Sequence, residues 1–201
     1  MLPFLSCVGV HYYEGYDFEQ LVIPVRLLKL LGVKALISTS AVGAVNTAYA
    51  PGDVMILKDH IKFNGSSPLR GVNLEEFGPR FFESSCVYDP ALRQLAKDCV
   101  PGSGLNVHEG VYIFFPGPQF ESHAEVRAAR ILGADVAGMS VVTETLTAAH
   151  CGLPVLALSF VANMCAGVVQ DEVIEQGQVD ATADAFSERL SAYVKRIVER
   201  Y

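Results

Sequence analysis

Apolar runs alternate along the chain with segments in which apolar residues recur at helical spacing. Five short apolar runs predict buried strands, at 35–39, 54–57, 111–115, 133–140 and 154–161. Spacing and start signals predict helices after Asp17, Asp89 and Ser122, over 141–150 and at the C-terminal end. This alternation predicts an α/β fold, with a single domain over 1–201 and a mixed, mostly parallel sheet flanked by helices.

Two of these helices carry residues that define them further. Pro24 falls in the second turn of the helix that starts near Asp17, which predicts a kink or a later start. In the C-terminal helix six apolar residues recur on one face, and we expect this face to pack on the core. They are Phe186, Leu190, Tyr193, Val194, Ile197 and Tyr201.

Composition and charge argue against several classes of partner. The chain is 51% hydrophobic and carries a formal net charge of −7, which disfavours binding to a nucleic-acid backbone. No apolar run approaches the roughly 20 residues of a membrane span, so no membrane partner is expected. The five cysteines are odd in number and form no CxxC motif, which indicates reduced thiols in a cytoplasmic protein. The histidines lack metal-ligand spacing, so no metal site is predicted.

The segment that follows the apolar run at 111–115 combines turn, aromatic and acidic residues. The turn at 116–118 ends the strand, and Ser122 with Glu125 forms a capping box that starts the next helix. Glu121 therefore lies between a strand and a helix, where α/β sheets place their ligands. It can accept hydrogen bonds from a flat polar ligand stacked on Phe120, or only stabilise the helix N-terminus. The sequence leaves both interpretations open.

Other candidate positions follow the remaining strands. The small residues 40–44 come after a strand and allow backbone N–H groups to approach an anion, or simply ease packing. Ser140 starts the helix over 141–150, a natural anion site, and Asn163 follows the strand at 154–161. In the long irregular region 64–89, Phe81 and Phe82 are expected either to meet another chain or ligand, or to fold back onto the core.

Six short segments together resemble one known family. In chain order they are 11–16 (HYYEGY), 40–43 (SAVG), 68–71 (PLRG), 117–121 (GPQFE), 138–140 (GMS) and 159–163 (SFVAN). Their types and order resemble the trimeric purine nucleoside phosphorylases. The resemblance implies phosphorolysis of 6-oxopurine nucleosides (inosine, guanosine) to the free base and ribose 1-phosphate, in purine salvage. It implies a homotrimer with inorganic phosphate as co-substrate and no other cofactor.

The resemblance also assigns roles to individual residues. Glu121 and Asn163, beside Phe120, would bind the base. His11, the backbone at Ala41 and Ser140 would contact phosphate, and Tyr13 and Met139 would line the ribose. His11, Glu121 and Asn163 would carry catalysis. Phe81 would reach into the site of a neighbouring subunit.

The sequence also departs from the family pattern. Val8-Gly9 stands where the family has Gly-Arg, so a phosphate-binding arginine is absent. Gln178 is the nearest candidate for a ribose-contacting histidine. The family's longer N-terminal segment, with its phosphate loop, has no counterpart, so we expect an N-terminally truncated member. Two alternatives remain: an impaired or inactive homologue that still binds purine or forms trimers, and a methylthioadenosine phosphorylase, against which Glu121 with Asn163 argues.

Overall fold

The sheet closes on itself. The computed structural model describes residues 9–63, 66–169 and 176–201. In these ranges the strands are β1 (Leu36–Ala44), β2 (Val54–Ile61), β3 (Val107–Phe114), β4 (Val136–Gly138) and β5 (Val155–Met164). They form a barrel in the order β1-β4-β3-β2-β5, in which β1/β5, β2/β3 and β3/β4 are parallel and the other pairs antiparallel. The predicted α/β class and mixed sheet are confirmed, and the closure adds to them.

Helices surround this barrel. They are α1 (Phe18–Leu21), α2 (Ile23–Leu30), α3 (Pro90–Asp98), α4 (His123–Ile131), α5 (Val142–His150) and α6 (Gln176–Arg200), with a 3-10 turn at Tyr12–Glu14. No helix in the described part of the chain is long and apolar enough to cross a bilayer.

Local chemistry sets where these helices begin. The Asp89 carboxylate accepts hydrogen bonds from the N–H groups of Ala91 and Leu92, at 2.8 and 2.9 Å. Ser122 N–H donates to Glu125 Oε2 at 2.8 Å, and Glu125 N–H donates to Ser122 Oγ at 3.3 Å. The predicted capping box is therefore confirmed.

The helix predicted after Asp17 is interrupted. α1 ends at Leu21 and α2 begins at Ile23, with Pro24 as the second residue of α2. Proline has no N–H, and its ring fits the first turn of a helix but not a later one. The helix therefore starts where predicted, at Phe18, and is broken just before Pro24, which lies in the first turn of the second piece.

Two strands run further than predicted, which corrects the placement of two site residues. β1 continues through 40–44, so Ala41 lies inside the strand and not in a loop after it. β5 extends to Met164, so Asn163 lies within it and does not follow it. Both extensions have the same cause. The two strands are parallel partners from Leu36/Val155 onward, and their pairing continues past a register shift between Val42 and Gly43.

The core face of α6 is largely as predicted. Tyr193 and Ile197 are buried, and Phe186, Leu190 and Val194 pack against the same cluster. The Tyr193 hydroxyl donates to the Ala96 carbonyl at 2.7 Å, which satisfies its polar end inside the core. The prediction is wrong for Tyr201, which is 63% exposed because α6 ends at Arg200.

The loop over 66–89 treats its two phenylalanines differently. Phe82 is half-buried and meets the His150 ring edge-on at 5.7 Å between centroids. His150 Nε2 also donates to the Pro79 carbonyl at 3.1 Å, which fastens the loop to α5. Phe81 is 88% exposed. The fold-back interpretation therefore holds for Phe82, and Phe81 is left on the surface.

Candidate active site

A cleft of about 1310 Å³ runs along β1 and is also lined by residues of α2 and α6; it includes segments at or just past the carboxyl ends of β1, β3, β4 and β5. Eight of the residues singled out from the sequence line it: His11, Tyr13, Ala41, Phe120, Glu121, Met139, Ser140 and Asn163. They come from distant parts of the chain, and the barrel brings them together. The part of the cleft that holds these eight residues combines aromatic and apolar side chains with a few polar groups, as small-molecule sites do.

Asn163 is positioned by its neighbour on β1. Gly43 is its register partner, and a Cβ at Gly43 would lie 2.5 Å from Cys165 Sγ and 3.4 Å from Asn163 Nδ2. Only glycine leaves this space free. Asn163 Nδ2 donates to the Met164 carbonyl at 2.8 Å, which fixes the amide plane. Because an amide has two N–H donors and a carbonyl oxygen, Asn163 keeps one donor and its oxygen for a ligand.

Glu121 presents a carboxyl group in a nearly dry part of the cleft. Its side chain is buried, whereas the adjacent Phe120 is 39% exposed. Burial raises the pKa of Glu121 and the Glu125 charge adds to this, against a hydrogen bond from its own backbone. Burial, with the Glu121 charge as a second cause, also raises the pKa of the Cys165 thiol to about 12. Cys165 therefore remains a neutral thiol beside the carboxyl group.

The segment 138–140 lies against a buried tyrosine. The Tyr112 hydroxyl occupies the place that a Cβ at Gly138 would take, and Ser140 N–H donates to it at 3.1 Å. Between Ser140 and α5, Val141 has a φ of 67°. A β-branched residue in this left-handed region costs roughly 1–3 kcal/mol, and such strain persists where surrounding structure imposes it. The backbone that presents Ser140 is thus fixed from both sides.

His11 stands at the mouth of the cleft. Its ring stacks on Tyr13, with 4.8 Å between centroids and 13° between planes. His11 Nδ1 lies 3.4 Å from Glu14 Oε1, and its backbone N–H donates to Glu14 Oε2 at 3.2 Å. The imidazole is therefore oriented by a ring on one side and a carboxylate on the other.

Two predicted site residues are not in the described lining of this cleft. Phe81 lies on the surface, where Arg80 Cζ is 5.8 Å from its ring centroid and Arg80 Nη1 donates to the Gly71 carbonyl at 2.9 Å. The side chain of Gln178, in α6, lies outside the described residues.

Sequence reasoning missed one cleft residue with chemistry of its own. Glu144, in the first turn of α5, lines the cleft, and its Oε2 is buried without a hydrogen-bond partner among the described residues. Its position in the sequence could have indicated this, because Glu144 lies four residues after Ser140, about one helical turn, and so on the same side of the helix. Among the described residues, no group of three His, Cys, Asp or Glu side chains is placed to hold a metal ion.

Comparison with known proteins defines the class first. Residues 3–199 match the family model of the Phosphorylase superfamily. Over 188 residues the chain is 45% identical to purine nucleoside phosphorylase 1 of Geobacillus stearothermophilus, covering 94% of this chain and 68% of that protein. The chain belongs to the purine nucleoside phosphorylase family, as its six motifs predicted.

Solved structures agree. Schistosoma mansoni purine nucleoside phosphorylase in complex with inosine superposes with a TM-score of 0.92 at 38% identity, covering 96% of this chain and 70% of that one. The Schistosoma mansoni purine nucleoside phosphorylase in complex with adenosine gives 0.91 at 38% identity, with 96% and 71% covered. The family fold therefore extends over nearly all of this chain.

Proposed function

We propose that this chain catalyses phosphorolysis of 6-oxopurine nucleosides, releasing the free base and ribose 1-phosphate. The observation that carries the proposal is the composition of one cleft. Its lining combines a carboxyl group, an amide and an aromatic ring, Glu121, Asn163 and Phe120, with the anion-binding types His11 and Ser140. A base and a phosphate can thus be bound in the same cleft, and Tyr13 and Met139, which also line it, are assigned to the ribose. The names of the relatives support the same reaction.

The base end suits a purine that carries a 6-oxo group. An ionised Glu121 accepts a hydrogen bond from N1–H, and the Asn163 amide donates to N7 or O6. As the C1′–N9 bond breaks, its electron pair moves into the purine ring, so donors aimed at N7 and O6 are favoured in the transition state. Adenine has no N1–H and would leave Glu121 unpaired in a buried place. A Schistosoma mansoni relative has been crystallised with adenosine, so the preference of this chain for inosine over adenosine has to be measured directly.

The other half of the reaction needs a positioned anion and no protein nucleophile. A phosphate oxygen forms the new bond to C1′ while the bond to N9 breaks, so the site must hold phosphate in line with that bond. We assign this role to His11, Ser140 and the backbone at Ala41. Phosphate is then the sole co-substrate, and no further cofactor is required.

We also propose a homotrimer in which Phe81 completes a neighbouring site. Its ring is 88% exposed, while Arg80 ties the surrounding loop to its own backbone carbonyls. A large aromatic side chain that is exposed in this way often marks a protein–protein interface. A cyclic assembly would place each such ring against the next subunit.

The glycine at residue 9 favours weak phosphate binding and therefore slow turnover. The resemblance places an arginine at residue 9, and this chain has Gly9, whose Cβ position would lie 3.5 Å from Glu144 Oε1. The chain thus lacks this bidentate cation, a carboxyl group lies beside the position of its Cβ, and a histidine does not replace that cation. We infer weaker phosphate binding than in relatives with the arginine.

The decisive experiment measures release of hypoxanthine from inosine with and without phosphate. Asn163→Ala and Glu121→Ala should lower kcat/KM strongly, whereas Glu188→Gln, an exposed change on α6, should not. Adenosine and methylthioadenosine serve as competing substrates. Cleavage that proceeds equally without phosphate, or that prefers methylthioadenosine, would contradict the proposal. Binding of hypoxanthine with no turnover of any nucleoside would identify an inactive homologue.

A further inference from the structure

Glu144 stands out because its carboxyl group lines the cleft without a partner. Oε2 is buried and has no hydrogen bond among the described residues. On the Oε1 side, a Cβ built at Gly9 would meet this one oxygen, at 3.5 Å, and no other described atom within 4 Å beyond its chain neighbours. Among the described residues, nothing else occupies the Cβ position of Gly9 beside Oε1, within the cleft that both residues line.

The surroundings of Glu144 disfavour a negative charge. The titratable groups that face it are His11 at the mouth, Tyr112 from β3 and Tyr88 from the loop before α3, with Glu14 beyond His11. Burial raises the pKa of Glu144, while its own backbone N–H and the charge of His11 oppose this. An ionised carboxylate would leave Oε2 buried without a donor, which is costly. A proton on the carboxyl group removes the negative charge and so lowers that cost, although Oε2 remains an unpaired acceptor.

A neutral acid at this place has a donor to offer. Its O–H can point from Oε1 into the space next to Gly9, on the side of the cleft that also holds Ser140 and His11. A dianion that approached an ionised Glu144 would be repelled, whereas a neutral acid would donate a charge-assisted hydrogen bond to it. The same residue thus either blocks or assists anion binding, depending on its proton.

We propose that Glu144 helps to bind the phosphate co-substrate as a neutral acid, its carboxyl O–H donating to a phosphate oxygen between Ser140 and His11. This rests on the proposed function, because it assumes that the anion end of the cleft receives phosphate. No covalent step is involved, and the proton stays on Glu144 or is shared in the hydrogen bond. Deprotonation of Glu144 would weaken anion binding, so the site acts best on the acidic side of that ionisation.

The test uses sulfate, which stays a dianion from about pH 5.5 to about pH 8.5, so any pH dependence in that range belongs to the protein. Sulfate affinity is measured by calorimetric titration for the unmodified chain, Glu144→Gln, Glu144→Ala and the surface control Glu188→Gln. Hypoxanthine affinity, measured in parallel, reports whether the base end is intact. Glutamine keeps a neutral donor at the same distance, and alanine removes it.

We expect Glu144→Gln to bind sulfate at least as tightly as the unmodified chain, with a flatter pH profile. Glu144→Ala should bind about tenfold more weakly, the loss typical of one hydrogen bond to a charged group. Weaker binding by Glu144→Gln would overturn the proposal, because it would mean that the ionised form is required. Equal binding by all variants, or hypoxanthine binding with no sulfate binding at all, would also overturn it. Failure to bind hypoxanthine would instead count against the proposed function.

Discussion

Gly43→Ala provides a direct test of how β1 positions the amide of Asn163, which we propose to bind the base. The added Cβ would lie 2.5 Å from Cys165 Sγ, whereas nonbonded carbon and sulfur atoms rest at about 3.5–4 Å. One of the two must move by about 1 Å, and Cys165 is only 3% exposed, so its side chain has no free space to enter. Overpacking of this kind costs about 1–3 kcal/mol.

Part of the free energy lost to overpacking should appear as weaker binding of hypoxanthine. Gly43 and Asn163 are register partners, and the new Cβ would also lie 3.4 Å from Asn163 Nδ2. A displacement of β1 therefore reaches the amide, and each 1.4 kcal/mol lost there weakens hypoxanthine binding about tenfold. The double variant Gly43→Ala/Cys165→Ala should recover most of the loss, because the remaining Cys165 atom near the new Cβ is its Cα, at 3.8 Å.

The assay is hypoxanthine titration together with urea unfolding of each variant. Gly177→Ala is the matched control, since a Cβ there meets nothing within 4 Å and the residue lies in α6, where alanine is favoured over glycine. Unchanged affinity and unchanged unfolding free energy for Gly43→Ala would refute the steric argument. A double variant as weak as the single one would show that Cys165 is not the obstacle.

Three further predictions concern the base, its pH dependence and assembly. Because burial raises the pKa of Glu121, hypoxanthine affinity should fall as the pH is lowered through that raised pKa. The buried ionised form also lowers the free energy of unfolding, so Glu121→Gln should be more stable than the unmodified chain at neutral pH. The difference between the two unfolding free energies, measured in urea, should disappear at acidic pH, where Glu121 is protonated. Asn163→Asp should shift kcat/KM toward 6-aminopurine nucleosides, since a carboxylate accepts from N6–H; an unchanged inosine-to-adenosine ratio would argue against direct contact. Phe81→Ala should leave the unfolding free energy of the subunit unchanged, because the ring is 88% exposed, yet reduce assembly in sedimentation; a monomeric parent chain would contradict the trimer.

Helix starts were predictable because their causes are local. Ser122 and Glu125 cap α4 through atoms three residues apart, and Asp89 caps α3 in the same way. Strand ends have no such local cause. Residues 40–44 look like a flexible loop in the sequence, yet they form the end of β1 because β5 pairs with them. The pairing partner lies more than a hundred residues away, so periodicity alone could not place it.

The candidate site was predictable to a similar degree. Motif resemblance indicated Glu121 and Asn163, and the barrel brings both to one cleft. Glu144 was not foreseen, because a glutamate in the first turn of a helix usually faces water and stabilises the helix dipole. Only the fold shows that Tyr112, from β3, and Gly9 lie near it. An unpartnered buried oxygen is a property of three-dimensional surroundings, which no local pattern encodes.

Three of the five glycines in the motif segments share one explanation, whereas Gly15 and Gly71 have no described atom near their Cβ positions. At these three the place of a Cβ is already taken by another side chain: Gly43 by Cys165, Gly117 by Met139, which lines the cleft, and Gly138 by Tyr112. Each glycine therefore forms a steric pair with a residue that is distant in the sequence. Since close-packed walls cannot absorb a misplaced methyl group without moving, the motifs specify the shape of the cleft as much as its chemistry. A change at one member of a pair should be tolerated only when its partner becomes smaller, and this is the logic that the Gly43 and Cys165 variants examine.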